Sequence, residues 1–164
     1  MNIPCILYNV PGRTGCSIPV SVVEKLSKHP NIVGIKEASG SLSAVAEIAA
    51  LCDIDIYSGN DDQIVPILSL GGKGVISVLS NVIPKETHDI CQKWFDGDIA
   101  GSRALFLQYL ELANAMFMDV NPIPVKDAMN LMGMQVGECR LPLLSMDEAG
   151  KVKLAAVLKK YNLM

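Results

Sequence analysis

Asn31-Ile32-Val33-Gly34-Ile35-Lys36-Glu37-Ala38-Ser39-Gly40, NIVGIKEASG, is an apolar, β-branched run closed by a Ser-Gly turn. Its composition predicts a strand over residues 32–38. The run does not alternate, and a continuous apolar strand reads as covered on both faces, as in a parallel sheet. Lys36 interrupts it, although lysine is almost never fully buried without a partner. Two readings are open for this residue. Its stem lies along apolar surface while the ammonium escapes at the strand end, or it is a desolvated amine whose lowered pKa lets it attack a carbonyl. Its late position in the strand bears on the choice, because parallel α/β folds bind ligands at the carboxyl ends of their strands.

Three other apolar runs bounded by turn residues read as strands, over residues 3–10, 55–58 and 74–79. Segments of helical period lie between them. Residues 17–29 carry Val20, Val23 and Leu26 with a capping box at Ser21 and Glu24, residues 41–52 carry Leu42, Val45 and Ala49, and residues 61–70 carry Ile64, Ile67 and Leu68. This is the βα repeat, so the strands are expected to be parallel. After the fourth strand only helices follow, over 85–95, 99–118, 124–132 and 146–161. Pro124 suits a first turn, Ser145-Met146-Asp147-Glu148 reads as a capping box, and Leu154, Val157, Leu158 and Tyr161 form one stripe. The 99–118 helix is apolar nearly all round and is expected to be sandwiched or to lie at an interface.

Composition narrows the function. The 164 residues are half hydrophobic and 19% charged, with a mean hydropathy of +0.33, which points to apolar surface covered by self-association. A net charge of −3 and a pI near 5.3, without a basic run, give no footprint for nucleic acid or an anionic membrane. Five cysteines without a C-x-x-C pair indicate neither a disulfide framework nor a zinc site, and a reducing cytoplasm is the simplest compartment. Four βα units are half of what a closed parallel barrel needs, which is eight units and about 250 residues. Strands 3–10 and 74–79 would then be open edges, which are templates for association.

The second chemical feature is Leu7-Tyr8-Asn9-Val10-Pro11-Gly12-Arg13-Thr14-Gly15, where the first strand ends in a tyrosine and an arginine enters the next loop. The bland alternative has Tyr8 capping a barrel end and Arg13 as a solvated loop charge. The chemical one has Tyr8 relaying protons during imine formation and Arg13 gripping a carboxylate.

Tyr8-Asn9-Val10-Pro11-Gly12-Arg13-Thr14, with Lys36 in Gly34-Ile35-Lys36-Glu37-Ala38, closely resembles the dihydrodipicolinate synthase branch of the pyruvate-dependent aldolases. Tyr57-Ser58-Gly59-Asn60-Asp61-Asp62, Gly71-Gly72-Lys73-Gly74-Val75-Ile76-Ser77-Val78 and Asn121-Pro122-Ile123-Pro124-Val125-Lys126 resemble later family stretches in the same order. The resemblance implies an α/β fold in which residues 1–97 are the second half of a (β/α)8 TIM barrel, strands five to eight, and residues 98–164 are a C-terminal helical extension. It implies that Lys36 is the Schiff-base lysine for pyruvate, Tyr8 the proton relay, Arg13 the ligand of the aspartate semialdehyde carboxylate, and Gly59 and Ile76 pocket residues, Ile76 through its carbonyl. The implied reaction is the lyase-type condensation of pyruvate with aspartate semialdehyde in lysine and diaminopimelate biosynthesis, with no cofactor and no metal. N-acetylneuraminate lyases and sugar-acid aldolases share the tyrosine and lysine, so the substrate assignment rests on Arg13.

The family's Gly-Thr-Thr-Gly-Glu stretch, its neighbour-donated tyrosine and its inhibitory lysine site have no counterpart in these 164 residues. The isolated chain is therefore expected to be weakly active or inactive. A structural reading stands beside the catalytic one, in which the half-barrel self-associates as a homo-oligomer or pairs with a complementary N-terminal half. A nucleotide-binding doubly wound domain is disfavoured, since no Gly-rich loop joins a strand to a helix. Asn60-Asp61-Asp62 is read as helix N-capping rather than a metal cluster, Gly71-Gly72-Lys73-Gly74 as a tight turn, and His88-Asp89 as solvated.

Overall fold

The computed structural model describes residues 3–164. Four parallel strands, β1 (Cys5–Asn9), β2 (Ile32–Glu37), β3 (Asp55–Ser58) and β4 (Gly74–Val75), form one sheet in the order β1-β2-β3-β4. Each strand bonds to its neighbour in the chain, which leaves β1 and β4 as the edges. The crossovers contain α1 (Pro11–Thr14), α2 (Val20–Leu26), α3 (Leu42–Leu51) and α4 (Ile64–Ser69), the last preceded by a 3-10 turn at Asp61–Gln63. A second 3-10 turn, Leu79–Asn81, leads to α5 (Pro84–Phe95), α6 (Ile99–Gln108), α7 (Leu110–Ala115), α8 (Ile123–Leu131) and α9 (Glu148–Lys160).

The two faces of the sheet differ. Ile35 and Ile56 point to the helices and are buried with Val23 of α2, Val45 and Ile48 of α3 and Ile67 of α4. Burying one such isoleucine contributes about 2–3 kcal/mol. On the opposite face a Cβ built on Gly34 would lie 3.3 Å from the Tyr57 ring and 3.6 Å from the Ile6 side chain, so these three positions share that face. Tyr8 and Lys36 stand two residues further along their strands, hence on the same side. That face is bare: Ile6 and Tyr8 are each 47% exposed. The expectation that β2 is covered on both faces is therefore corrected, and Lys36 emerges on the open one.

Two further apolar clusters lie beyond the sheet's helical face. Ile64 and Leu68 of α4 meet Ile90 of α5, with Leu105 and Phe106 of α6 against them. Leu112 and Met116, Ala128, and Leu154 and Leu158 close the helical region around Leu79 and Ile83. The α9 stripe is as expected, with Val157 and Tyr161 on its flank.

Several boundaries differ from the sequence reading, each for a local reason. The fourth strand stops at Val75 because the N–H groups of Val78 and Leu79 donate to Asp61 Oδ2, both at 3.0 Å, instead of to a ladder. The same bonds correct the capping of Asn60-Asp61-Asp62: Asn60 makes no cap bond, and Asp61 caps the later turn at Leu79. The single helix expected over 99–118 breaks at Tyr109, where Tyr161 donates its hydroxyl to Gln108 O at 2.9 Å and takes a carbonyl that a continuous helix would use. No capping box forms at Ser21; α2 starts after Pro19, and Glu24 pairs with Lys28 at 3.1 Å. The last helix is capped by Asp147, which accepts from Gly150 N at 2.7 Å. Ser41 caps α3, its Oγ accepting from Ala44 N at 3.2 Å, and Gly71 turns the chain at φ 92.

Candidate active site

Tyr8, Lys36 and Tyr57 are partners in register on three adjacent strands. Parallel pairing and the pleat bring their side chains to the same face. Lys36 Nζ lies 4.3 Å from the centroid of the Tyr8 ring, inside the range in which a cation is attracted to a π face. Lys36 is half-buried, so its stem is packed while its nitrogen reaches the open side. Gly34 makes room below it, since any side chain there would meet the Tyr57 ring and the Asp55 carbonyl, 3.1 Å away.

Arg13 sits in the single turn of α1, which Gly15 ends in a left-handed conformation, φ 72. Its Nη2 donates to Asn121 O at 2.9 Å, tying the loop after β1 to the segment before α8. A guanidinium has five N–H donors, so the remaining ones are free of that bond. Gly59 continues the ladder past β3, donating its N–H to Glu37 O at 2.7 Å. Its backbone passes so close to β2 that an added Cβ would lie 2.5 Å from Ala38 Cβ. Ile76 N donates to Ser58 O at 2.8 Å, and the Ile76 side chain is exposed. The structure thus brings Lys36 and Tyr8 together, sets Gly59 against the end of β2, and anchors Arg13 on Asn121. An open cleft of about 420 Å³, between the loops after β2 and β3 and helix α7, is lined by Gly40, Asn60, Asp61, Asn114 and Phe117 and does not include Lys36 or Tyr8.

Residues 1–161 match the Dihydrodipicolinate synthetase family. The chain belongs to that family. Over its whole length it is 57% identical to a 4-hydroxy-tetrahydrodipicolinate synthase from Clostridium perfringens, of which it covers 57%. Over 99% of its length it is 54% identical to the synthase of the same name from Caldicellulosiruptor bescii, covering 56% of that protein. It superposes on the crystal structure of dihydrodipicolinate synthase from Thermotoga maritima with a TM-score of 0.96 at 38% identity, over all of this chain and 58% of that one. A chloride-inhibited dihydrodipicolinate synthase from Acinetobacter baumannii, solved in complex with pyruvate, gives a TM-score of 0.95 at 36% identity, over 100% of this chain and 57% of that one. The chain therefore spans less than two thirds of the family members it matches, and its parallel α/β fold is theirs.

Two features of this family member had not been singled out from the sequence. The first is Tyr57, which shares the face of Lys36. The second lies behind Lys36, where Asn9 and Glu37 are 4% and 1% exposed and Asn9 Nδ2 donates to Glu37 Oε2 at 2.8 Å. The period of two signals both, since it puts Tyr57 level with Lys36 and turns each residue after Tyr8 and Lys36 to the covered side.

Proposed function

We propose that this chain carries the nucleophilic half of a dihydrodipicolinate synthase-type lyase. Residues 1–97 would supply strands five to eight of a (β/α)8 barrel and residues 98–164 the helical extension. Lys36, with its nitrogen over the Tyr8 ring at the strand ends, is the observation that carries the reading. The neutral amine adds to C2 of pyruvate, and the carbinolamine loses water to give an imine, with Tyr8 passing the proton to the departing hydroxyl. Loss of a C3 proton makes the enamine, whose carbon attacks the aldehyde of aspartate semialdehyde. The semialdehyde amino group then displaces Lys36 as the product cyclises, and the lysine is regenerated. The donors of Arg13 that Asn121 does not use suit the semialdehyde carboxylate, and Gly59 and the carbonyl of Ile76 border the pocket. The lysine does the work of a cofactor. The compartment is the cytoplasm.

Borohydride reduction in the presence of pyruvate tests the chemistry. The expected result is a reduced pyruvate adduct on the peptide containing Lys36, absent in Lys36→Ala; no adduct on the unmodified chain would refute the nucleophile. Turnover of the semialdehyde by the chain alone is expected to be weak, because positioning supplies a large part of catalysis. Arg13→Ala should lower it further without changing adduct formation, and unchanged turnover would refute the substrate assignment.

A second reading rests on the bare sheet face and the open edges at β1 and β4. In it the chain closes its barrel against a copy of itself or a complementary N-terminal half. A clean monomer in light scattering at micromolar concentration would weigh against self-association.

A further inference from the structure

The covered side of the sheet holds a hydrogen-bonded chain directly behind Tyr8 and Lys36. Ile18 N donates to Asn9 Oδ1 at 3.0 Å, Asn9 Nδ2 donates to Glu37 Oε2 at 2.8 Å, and Ser39 N donates to Glu37 Oε1 at 2.7 Å. Asn9 and Glu37 are register partners, one step beyond Tyr8 and Lys36 on the same two strands. The first bond closes the loop that bears Arg13, the second joins β1 to β2 through their side chains, and the third fixes the turn that follows β2.

The chain has a direction. Two backbone N–H groups enter it, one at each end, so its two side chains must present acceptors outward. Glu37 has to accept at both oxygens, and Asn9 then spends its amide donor on Glu37 and its oxygen on Ile18. Glutamine has the shape of glutamate but cannot do this. Its oxygen would take Ser39 N, leaving its NH2 against the NH2 of Asn9; rotating the Asn9 amide only moves the clash to Ile18 N. Buried groups in such a clash cost the full desolvation penalty.

We infer that Glu37, acting through Asn9, is a positioning residue that holds Tyr8 against Lys36 and fixes the loop carrying Arg13. This rests on the reading of Lys36 as the nucleophile. Glu37 and Asn9 face away from the amine and touch no reacting atom. What they set is the register of the two strands whose immediately preceding residues, Tyr8 and Lys36, carry the chemistry, and misplacement by about 1 Å costs on the order of 100-fold in rate.

Four versions of the full chain test it: unmodified, Glu37→Gln, Asn9→Asp, and the double variant carrying both. In the double variant an aspartate at position 9 accepts from Ile18 N and from the glutamine NH2, and the glutamine oxygen accepts from Ser39 N, so every bond is restored with the charge moved from position 37 to position 9. Pyruvate trapping on Lys36 is expected to slow by about 10–100-fold in Glu37→Gln, to slow in Asn9→Asp, where two carboxylates face each other, and to return to within a few-fold of the unmodified rate in the double variant. Equal trapping rates in all four, or no recovery in the double variant, would overturn the inference. If Glu37→Gln is unfolded by circular dichroism, the double variant decides: folded and trapping supports it, unfolded overturns it. If the unmodified chain forms no adduct, the nucleophile reading itself has failed. Amide exchange then decides the positioning role, with Ile18 N–H expected to exchange about tenfold faster in Glu37→Gln and to be protected again in the double variant; unchanged exchange overturns it.

Discussion

Gly59→Ala is the perturbation whose cost the geometry defines best. The new methyl would stand 2.5 Å from Ala38 Cβ, 3.0 Å from Glu37 O and 3.1 Å from Ala38 Cα. It falls about 0.9 Å short of the nearest ordinary contact with Ala38 Cβ. Two of the three atoms are backbone, and Ala38 has no rotamer to change, so relief requires moving the end of β3 away from β2. Doing so stretches the bond from Gly59 N to Glu37 O, now 2.7 Å. Overpacking that forces backbone shifts costs typically 1–3 kcal/mol, and the lost ladder bond adds about 1 kcal/mol. The expected loss is therefore about 2–4 kcal/mol. Urea unfolding followed by circular dichroism measures it, read as a lower midpoint at unchanged m-value. Gly12→Ala is the control, since a Cβ there meets nothing within 4 Å; it should be neutral or stabilising by up to about 1 kcal/mol. A loss below about 0.5 kcal/mol for Gly59→Ala would refute the close approach of the two strand ends.

The remaining predictions concern one buried carboxylate and one thiol. Asp61→Ala leaves the N–H groups of Val78 and Leu79 without their acceptor and should cost about 2–4 kcal/mol, whereas Asp61→Asn keeps the acceptor oxygen for both and replaces Oδ1, which has no partner among the described residues, by NH2, so its loss should be the smaller of the two; equal losses in urea unfolding would contradict this. Burial pushes the Cys91 thiol up to about 11, above its value of roughly 8.5 in an unfolded chain. The unfolded state therefore releases the proton first, and the stability due to this burial is intact below about pH 8.5 and declines as pH rises toward 11. Cys91→Val should flatten that decline, and an unchanged pH profile would refute the assignment.

The sequence exposed what depends on local period and missed what depends on distant partners. β3 was legible to the residue because Asp55–Ser58 is bounded on both sides by turn residues, and β2 was missed by one position. The pairing of Tyr8 with Lys36 followed from two strand ends in a βα repeat. By contrast, the shortening of β4 depends on a carboxylate 17 residues away, and the break at Tyr109 on a hydroxyl 53 residues from its acceptor. Neither leaves a mark in hydrophobic spacing. The apparent capping box at Ser21 fits a pattern that Pro19 pre-empts by starting the helix earlier. At the site, Asn9 and Glu37 are hidden by adjacency: both lie within the motifs, yet the pleat turns them to the side opposite Tyr8 and Lys36.

The order of the sheet also governs how the molecule is made. Every strand bonds only to the strands beside it in the chain, so a nascent polypeptide leaving the ribosome can add them one at a time to a growing edge. The bond from Arg13 to Asn121 spans 108 residues and has to wait until α7 has been translated. The guanidinium precedes its acceptor by 108 residues and is tethered well after β1 and β2 can pair, so a stalled translation product would display the amine and the phenol before it displays a fixed arginine.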